Sequence, residues 1–139
     1  MTLHILREQA FAKKPEVVIF DLDDTLYAYE PAHQAALAAA EQKVCALLGT
    51  DSAQFRKNFE TARQTVKNRL KGSASSHSRL LYFQTLLEQM GLQSQILMSL
   101  DLEQTYWRTF LSTAKLFPDV KEWIRDLHAD GIKTALITD

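Results

Sequence analysis

The hydrophobic pattern of the chain changes period twice. Val17, Val18, Ile19 and Phe20 form an unbroken apolar run, β-branched in its first three members, which predicts a strand. An unbroken run suits a strand covered on both faces, as in a parallel sheet. From Pro31 to about Ala114 apolar residues recur at helical spacing. Leu37, Ala40, Val44, Leu47 and Leu48 form one stripe, stopped at Gly49. Phe55, Phe59, Ala62, Val66 and Leu70 form a second, opened by Asp51 and Gln54 in the spacing of a capping box and ended near Gly72. Leu80, Phe83, Leu87 and Met90 form a third, closed by Gly91. Ile96, Leu100, Trp107, Phe110 and Ala114 form a less regular fourth. Four amphipathic helices with short breaks predict a small bundle, with Ser73-Ala74-Ser75-Ser76 as a polar linker.

The last segment returns to the first pattern. Phe117-Pro118-Asp119 opens a helix carrying Val120, Trp123, Ile124 and Leu127, and Gly131 ends it. Residues Ile132 to Asp139 then predict a second strand. Helix, glycine and apolar strand make half of a crossover unit, so the second strand is expected parallel to the first. Trp107 and Trp123 fall on apolar stripes and are expected in the core. Ahead of the first strand a short helix is expected around Ile5 to Phe11, stopped by Pro15.

The first strand runs into Asp21-Leu22-Asp23-Asp24-Thr25-Leu26. The carboxyl end of a strand is where open α/β sheets place their ligands. Asp21 and Asp23 are two residues apart, so on an extended backbone their side chains point the same way. Two carboxylates facing one pocket repel, and either share a proton or gather around a cation. A hard cation such as Mg²⁺ prefers carboxylate oxygen and keeps several waters. Two carboxyl groups and a substrate phosphate would then complete its shell.

Composition changes this picture little. The 139 residues are 46% hydrophobic and 24% charged, ordinary for one soluble globular domain with a sizeable core. A formal net charge of −1 gives no global pull toward nucleic acid or membrane. No apolar run approaches the roughly 18 residues of a membrane span. Met1 to Glu16 carries Arg7, Glu8, Lys13, Lys14 and Glu16 and does not read as a signal peptide. The single cysteine, Cys45, cannot form an internal disulfide and fits a reducing compartment, so a cytoplasmic location is expected.

The stretch from Val17 to Leu26 resembles the first signature motif of the haloacid dehalogenase-like superfamily, a hydrophobic run followed by Asp-x-Asp-x-Thr-Leu, matched by Asp21, Asp23, Thr25 and Leu26. The resemblance implies that Asp21 is the nucleophile and Asp23 the general acid/base. An Asp two beyond the nucleophile looks like the phosphatase and phosphotransferase branch. The end of the second strand resembles the second motif, with Thr138 in the position whose hydroxyl donates to a phosphate oxygen.

The implied fold is α/β: a Rossmann-like parallel-sheet core, incomplete here, from residues 1–28 and 115–139, with an α-helical cap inserted over 29–114. The implied reaction is Mg²⁺-dependent hydrolysis of phosphate monoesters through an aspartyl-phosphate, with Asp21 and Asp23 holding the metal. The implied partner is a small phosphorylated metabolite, such as a sugar phosphate or a nucleotide, with neither nucleic acid nor membrane. In the family a flap lies beside the active site just after the first motif, where Tyr27 and Tyr29 stand as gate residues or as packing at a domain junction. Thr25, Tyr27 and Arg79 are expected to contact substrate.

A Lys and a further acidic pair follow on later strands in the family, and the sequence stops one residue after the second motif. At roughly 30 residues per crossover unit, two or three more units would add on the order of 60–90 residues. The expectation is an N-terminal part of a longer enzyme, inactive as the isolated chain. The other reading is a non-catalytic binding or regulatory protein on a truncated scaffold of the same kind. Unpaired strand edges leave room for an oligomer. The second helix of the bundle is basic, with Arg56, Lys57, Arg63, Lys67, Arg69 and Lys71 against Asp51 and Glu60. It reads as a solvated face or as a platform for an anionic substrate. Poor aromatic interleaving argues against nucleic acid.

Overall fold

A computed structural model of the chain describes residues 13–138. The short helix expected around Ile5 to Phe11 lies outside the described residues. The chain forms two compact units, one running through Ala28 and resuming at Lys115, the other spanning Tyr29–Ala114.

The first unit is an α/β half-layer. Strand β1 (Val17–Phe20) pairs in parallel with β2 (Lys133–Leu136), in the register Val17 to Lys133 through Phe20 to Leu136. Helix α5 (Val120–Ala129) precedes β2 and packs against it. The reversal between them is a Schellman turn. The Gly131 amide bonds to the His128 carbonyl at 3.0 Å and the Ile132 amide to Leu127 at 2.9 Å. Gly131 takes φ +74°, which a residue without Cβ adopts at no steric cost. The fold class expected from the sequence is therefore present: a parallel β pair joined through a helix, with helices inserted between.

Burial of the sheet departs from expectation. The unbroken run predicted a strand covered on both faces, yet Val17 is 46% and Ile19 57% exposed, and Leu136 is 58% exposed. Trp123, expected in the core, is 55% exposed. Among the described residues of this unit, two strands and one helix supply too little apolar surface to enclose a sheet on two sides. What is buried in this unit is the turn region: Leu26, Val120 and Ile132. The Phe117 amide bonds to the Leu26 carbonyl at 2.9 Å, and Tyr27 bridges Leu116, so the two chain segments are stitched together.

The second unit is helical, with α1 (Tyr29–Leu48), α2 (Ser52–Leu70), a 3₁₀ turn (Ala74–His77), α3 (Arg79–Gln89) and α4 (Ile96–Thr113). Helix α1 packs on α4 and α2, and α3 packs on α2 and α4. Ala32, Ala36 and Ala40 are four residues apart and fully enclosed, so α1 presents a small-residue seam to its neighbours. Helix α2 buries the stripe its sequence predicts: Phe55, Phe59, Ala62 and Val66. Its cap is half of a capping box. Asp51 accepts from the Gln54 amide at 2.7 Å, while the Gln54 side chain bonds to Asn58 instead.

The other stripes shift. Leu47 on α1 is 60% exposed. In α3 the buried residues are Tyr82, Phe83, Leu86 and Leu87, so Tyr82 and Leu86 take the seam in place of Leu80 and Met90. In α4 they are Ser99, Leu102, Tyr106 and Phe110, whereas Ile96 and Trp107 face outward. A count of apolar letters passes over Ser99, which is buried because its hydroxyl donates to the Gln95 carbonyl at 2.8 Å. The polar linker expected at Ser73–Ser76 is structured. Ser76 is buried, and its carbonyl accepts from the Tyr82 hydroxyl at 2.6 Å. Aromatic contacts run through the core from Phe55 to Phe59 to Phe83 to Tyr106 to Phe110, with ring centroids between 5.6 and 6.4 Å. Each such pair contributes about 0.5–1.5 kcal/mol beyond its burial. Among the described residues no helix is long and apolar enough to cross a membrane.

Candidate functional site

In the α/β unit the chain leaves the ladder after Phe20. The amides of Thr25 and Leu26 both bond to the Leu22 carbonyl, at 3.3 and 3.0 Å, which closes residues 22–26 into one tight turn. Asp24 adopts φ +57° to make it, a left-handed conformation that Asp tolerates better than most residues. The turn folds Thr25 back onto Asp21, and its hydroxyl donates to Oδ2 at 3.3 Å. The Tyr27 hydroxyl donates to Oδ1 of Asp23. Asp21 and Asp23 are both exposed to solvent.

Strand β2 brings in the next group. The Ile137 amide donates to the Phe20 carbonyl at 2.9 Å, which pins the end of β2 beside the start of the carboxylate turn. Thr138 follows directly. Asp21 and Thr138 line one cleft of about 390 Å³, with Ile19, Phe20 and Ile137 as its other walls. Residues 21 and 138, far apart in the chain, therefore share the carboxyl end of the sheet. Exposed carboxylate oxygens on a tight turn suit Mg²⁺, which needs only one or two protein carboxylates. Among the described residues no group of three or more His, Cys, Asp or Glu side chains forms a larger metal cage.

Arg79 lies in the helical unit. It follows Ser78, whose side chain caps α3 by accepting from the Leu81 amide at 3.4 Å. Its guanidinium donates to the His77 carbonyl and to the Tyr29 hydroxyl, both at 2.8 Å. It also lies 5.2 to 5.9 Å from the ring centroids of Tyr106, Tyr82 and Trp107. Arg79 borders a cavity of about 420 Å³ formed wholly within this unit. Arg56, Arg63 and Lys67 line it from α2, and Tyr29 and His33 line it from α1.

The sequence marks Arg79 and the basic helix, whereas His33 is one of four scattered histidines that show no metal spacing. Its ring stacks on Tyr29 at 5.4 Å, and its Nδ1 lies 2.7 Å from the Tyr106 hydroxyl. Burial lowers the His33 pKa below the usual imidazole value, and the positive charges of Arg79, Arg63 and Arg56 push the same way against Glu30. Burial also raises the Tyr106 phenol to about 12, so it keeps its proton at neutral pH. The signal for this site was in the spacing. Tyr29 and His33 are one turn apart, and Arg56, Glu60, Arg63 and Lys67 follow a four-three-four rhythm on one face of α2.

Comparison with known proteins bears on the carboxylate turn. A protein of Halopiger xanaduensis named ribulose-1,5-bisphosphate 5-phosphatase is 37% identical over 123 residues, covering 88% of this chain and 52% of the relative. The chain thus spans about half the length of the curated relative it matches. The crystal structure of the HAD-hydrolase YfnB from Bacillus subtilis, solved bound to magnesium, superposes with a TM-score of 0.54 at 20% identity. That match covers 91% of this chain and 54% of YfnB and supports the fold. The sequence model for haloacid dehalogenase-like hydrolases matches residues 15–139, from just ahead of β1 through the end of β2. With the Asp turn and Thr138 inside the matched span, the chain belongs to the haloacid dehalogenase-like hydrolase family.

Proposed function

We propose that the chain forms the nucleophile-bearing part of a phosphatase that hydrolyses phosphate monoesters of small metabolites, sugar phosphates foremost. The observation that carries this reading is the shared cleft of Asp21 and Thr138 at the carboxyl ends of two paired parallel strands. The 37% identical relative, named as a sugar-bisphosphate phosphatase, supports the substrate class.

The Asp21 carboxylate attacks phosphorus in line with the ester oxygen. The new O–P bond forms as the P–O ester bond breaks, and Asp23 gives its proton to the leaving oxygen. Water then attacks the aspartyl-phosphate. Asp23 takes a proton from that water, inorganic phosphate leaves, and Asp21 is restored. The Thr138 hydroxyl donates to a phosphate oxygen and stabilises the charge that grows there. Thr25, bonded to Asp21, fixes the orientation of the nucleophile, and Tyr27 does the same for Asp23. Asp21 and the Asp23 main-chain carbonyl would hold Mg²⁺, which when bound offsets the negative charge of nucleophile and phosphate. The helical unit takes the role of a cap that excludes water and selects substrate.

In the full-length gene product, Asp21→Asn removes the nucleophile without changing side-chain volume. Turnover of phosphate monoesters is expected to fall below detection, with circular dichroism and melting unchanged. Near-normal turnover by that variant would sink the assignment.

A further inference from the structure

We propose that the cavity of the helical unit is a binding site for the phosphate group of a small phosphorylated metabolite. The inference rests on the phosphatase reading for its biological sense, but its evidence is separate and lies within one unit.

The first observation is charge. Arg56, Arg63, Lys67 and Arg79 line the cavity against only two carboxylates, Glu30 and Glu60. The wall is therefore cationic, although the chain as a whole carries a net charge of −1. Arg56 is paired with Glu41, and Arg63 with Glu60 at 3.0 Å. Among the described residues no carboxylate lies within ion-pair distance of Arg79 or Lys67.

The second observation is the setting of Arg79. Taking a guanidinium out of water costs free energy that a nearby anion normally returns. Here the supporting groups are neutral: a carbonyl, phenols and aromatic rings. Its Nε is buried and has no hydrogen-bond partner among the described residues. Such a preorganised fork, held by rings and lacking a carboxylate, is suited to bidentate recognition of phosphate.

The third observation is size. About 420 Å³ falls inside the roughly 300–1,000 Å³ of small-molecule sites, too large for a packing defect. The stacked Tyr29 and His33 rings give it an apolar wall on which a carbon skeleton can lie.

The phosphate has two sources, a phosphorylated metabolite or free inorganic phosphate, and both present the same group to the cavity. The test uses the intact chain in EDTA, so that the carboxylate turn holds no metal. The His33 imidazole signals are followed by NMR while inorganic phosphate, or fructose-1,6-bisphosphate as a bisphosphate probe, is added. Both probes are expected to move the His33 signals and to raise its pKa. Lys67→Gln and Arg79→Lys are each expected to weaken binding by about tenfold or more. Tighter binding of the bisphosphate identifies a metabolite phosphate as the occupant. Tighter binding of inorganic phosphate identifies the free ion and overturns the metabolite half of the proposal. No response to millimolar probe, or a response unchanged in both variants, overturns it entirely. Asp21→Asn is expected to leave this binding unchanged, so failure of the nucleophile assignment and failure of the cavity assignment are read separately.

Discussion

His33 shows how one side chain reports the charge around it. Burial and the positive charges of Arg79, Arg63 and Arg56 favour its neutral form, with Glu30 opposing. The unfolded chain, with an imidazole near the ordinary 6.5, then binds a proton more readily than the folded one. The stabilising contribution is complete above pH 6.5 and is lost as the pH falls through the lowered folded value. Urea denaturation at pH 7.5 and pH 5 is expected to show a lower midpoint at pH 5. In His33→Gln, which keeps a hydrogen-bonding group beside the Tyr106 hydroxyl, the drop between the two pH values is expected to be smaller. An equal drop in both proteins would mean that His33 is not held neutral by its surroundings. The same scale separates what was readable in the sequence from what was not. Asp21, Asp23 and Thr25 are legible because the turn that gathers them is local. The bonds from Thr25 to Asp21 and from Tyr27 to Asp23 each span four residues. His33 was not legible, because its partner Tyr106 lies 73 residues away.

At the level of elements, the glycines and caps were the dependable marks. The Schellman turn at Gly131 ends α5 and sends the chain into β2, and through that strand it sets the height at which Thr138 stands. A Cβ built at Gly131 meets nothing within 4 Å, so substitution there costs backbone strain rather than a clash. Gly131→Ala is expected to lower stability by about 1–2 kcal/mol, the cost of placing an L-residue at positive φ. Gly131→Asn is expected to cost less, since Asn tolerates that region. Thermal melting of the two variants reads the difference, and an Ala variant as stable as the parent would mean that the turn relaxes out of the left-handed region. Stripe boundaries were less dependable than caps. In α4 the sequence pointed to Ile96, Leu100, Trp107 and Phe110, of which Phe110 belongs to the buried line of Ser99, Leu102, Tyr106 and Phe110. A hydroxyl that satisfies itself on its own helix, and a phenol bonded to a neighbouring side chain, lie in the core despite their polarity.

At the scale of the whole molecule, the fold class was legible because it depends on order: strand, helices, helix, glycine, strand. The degree of burial was not. Apolar runs at β1 and β2 announce strands, but how much of each is covered depends on which layers are present. Here Val17, Ile19 and Leu136 remain about half exposed. The cationic cavity was illegible for a related reason. Its walls come from α1, α2, the 3₁₀ turn and α3, and only their packing turns a solvated basic face into a lined pocket.

The central claim, that Asp21 becomes phosphorylated during turnover, is open to a direct chemical test. The full-length gene product is incubated with a phosphate monoester, quenched in acid, reduced with borohydride, digested and mapped by mass spectrometry. An aspartyl-phosphate is reduced to homoserine at the residue that carried it. Homoserine at position 21, absent when substrate is omitted, is the expected result. Turnover with Asp21 unmodified, or homoserine at another aspartate, would contradict it.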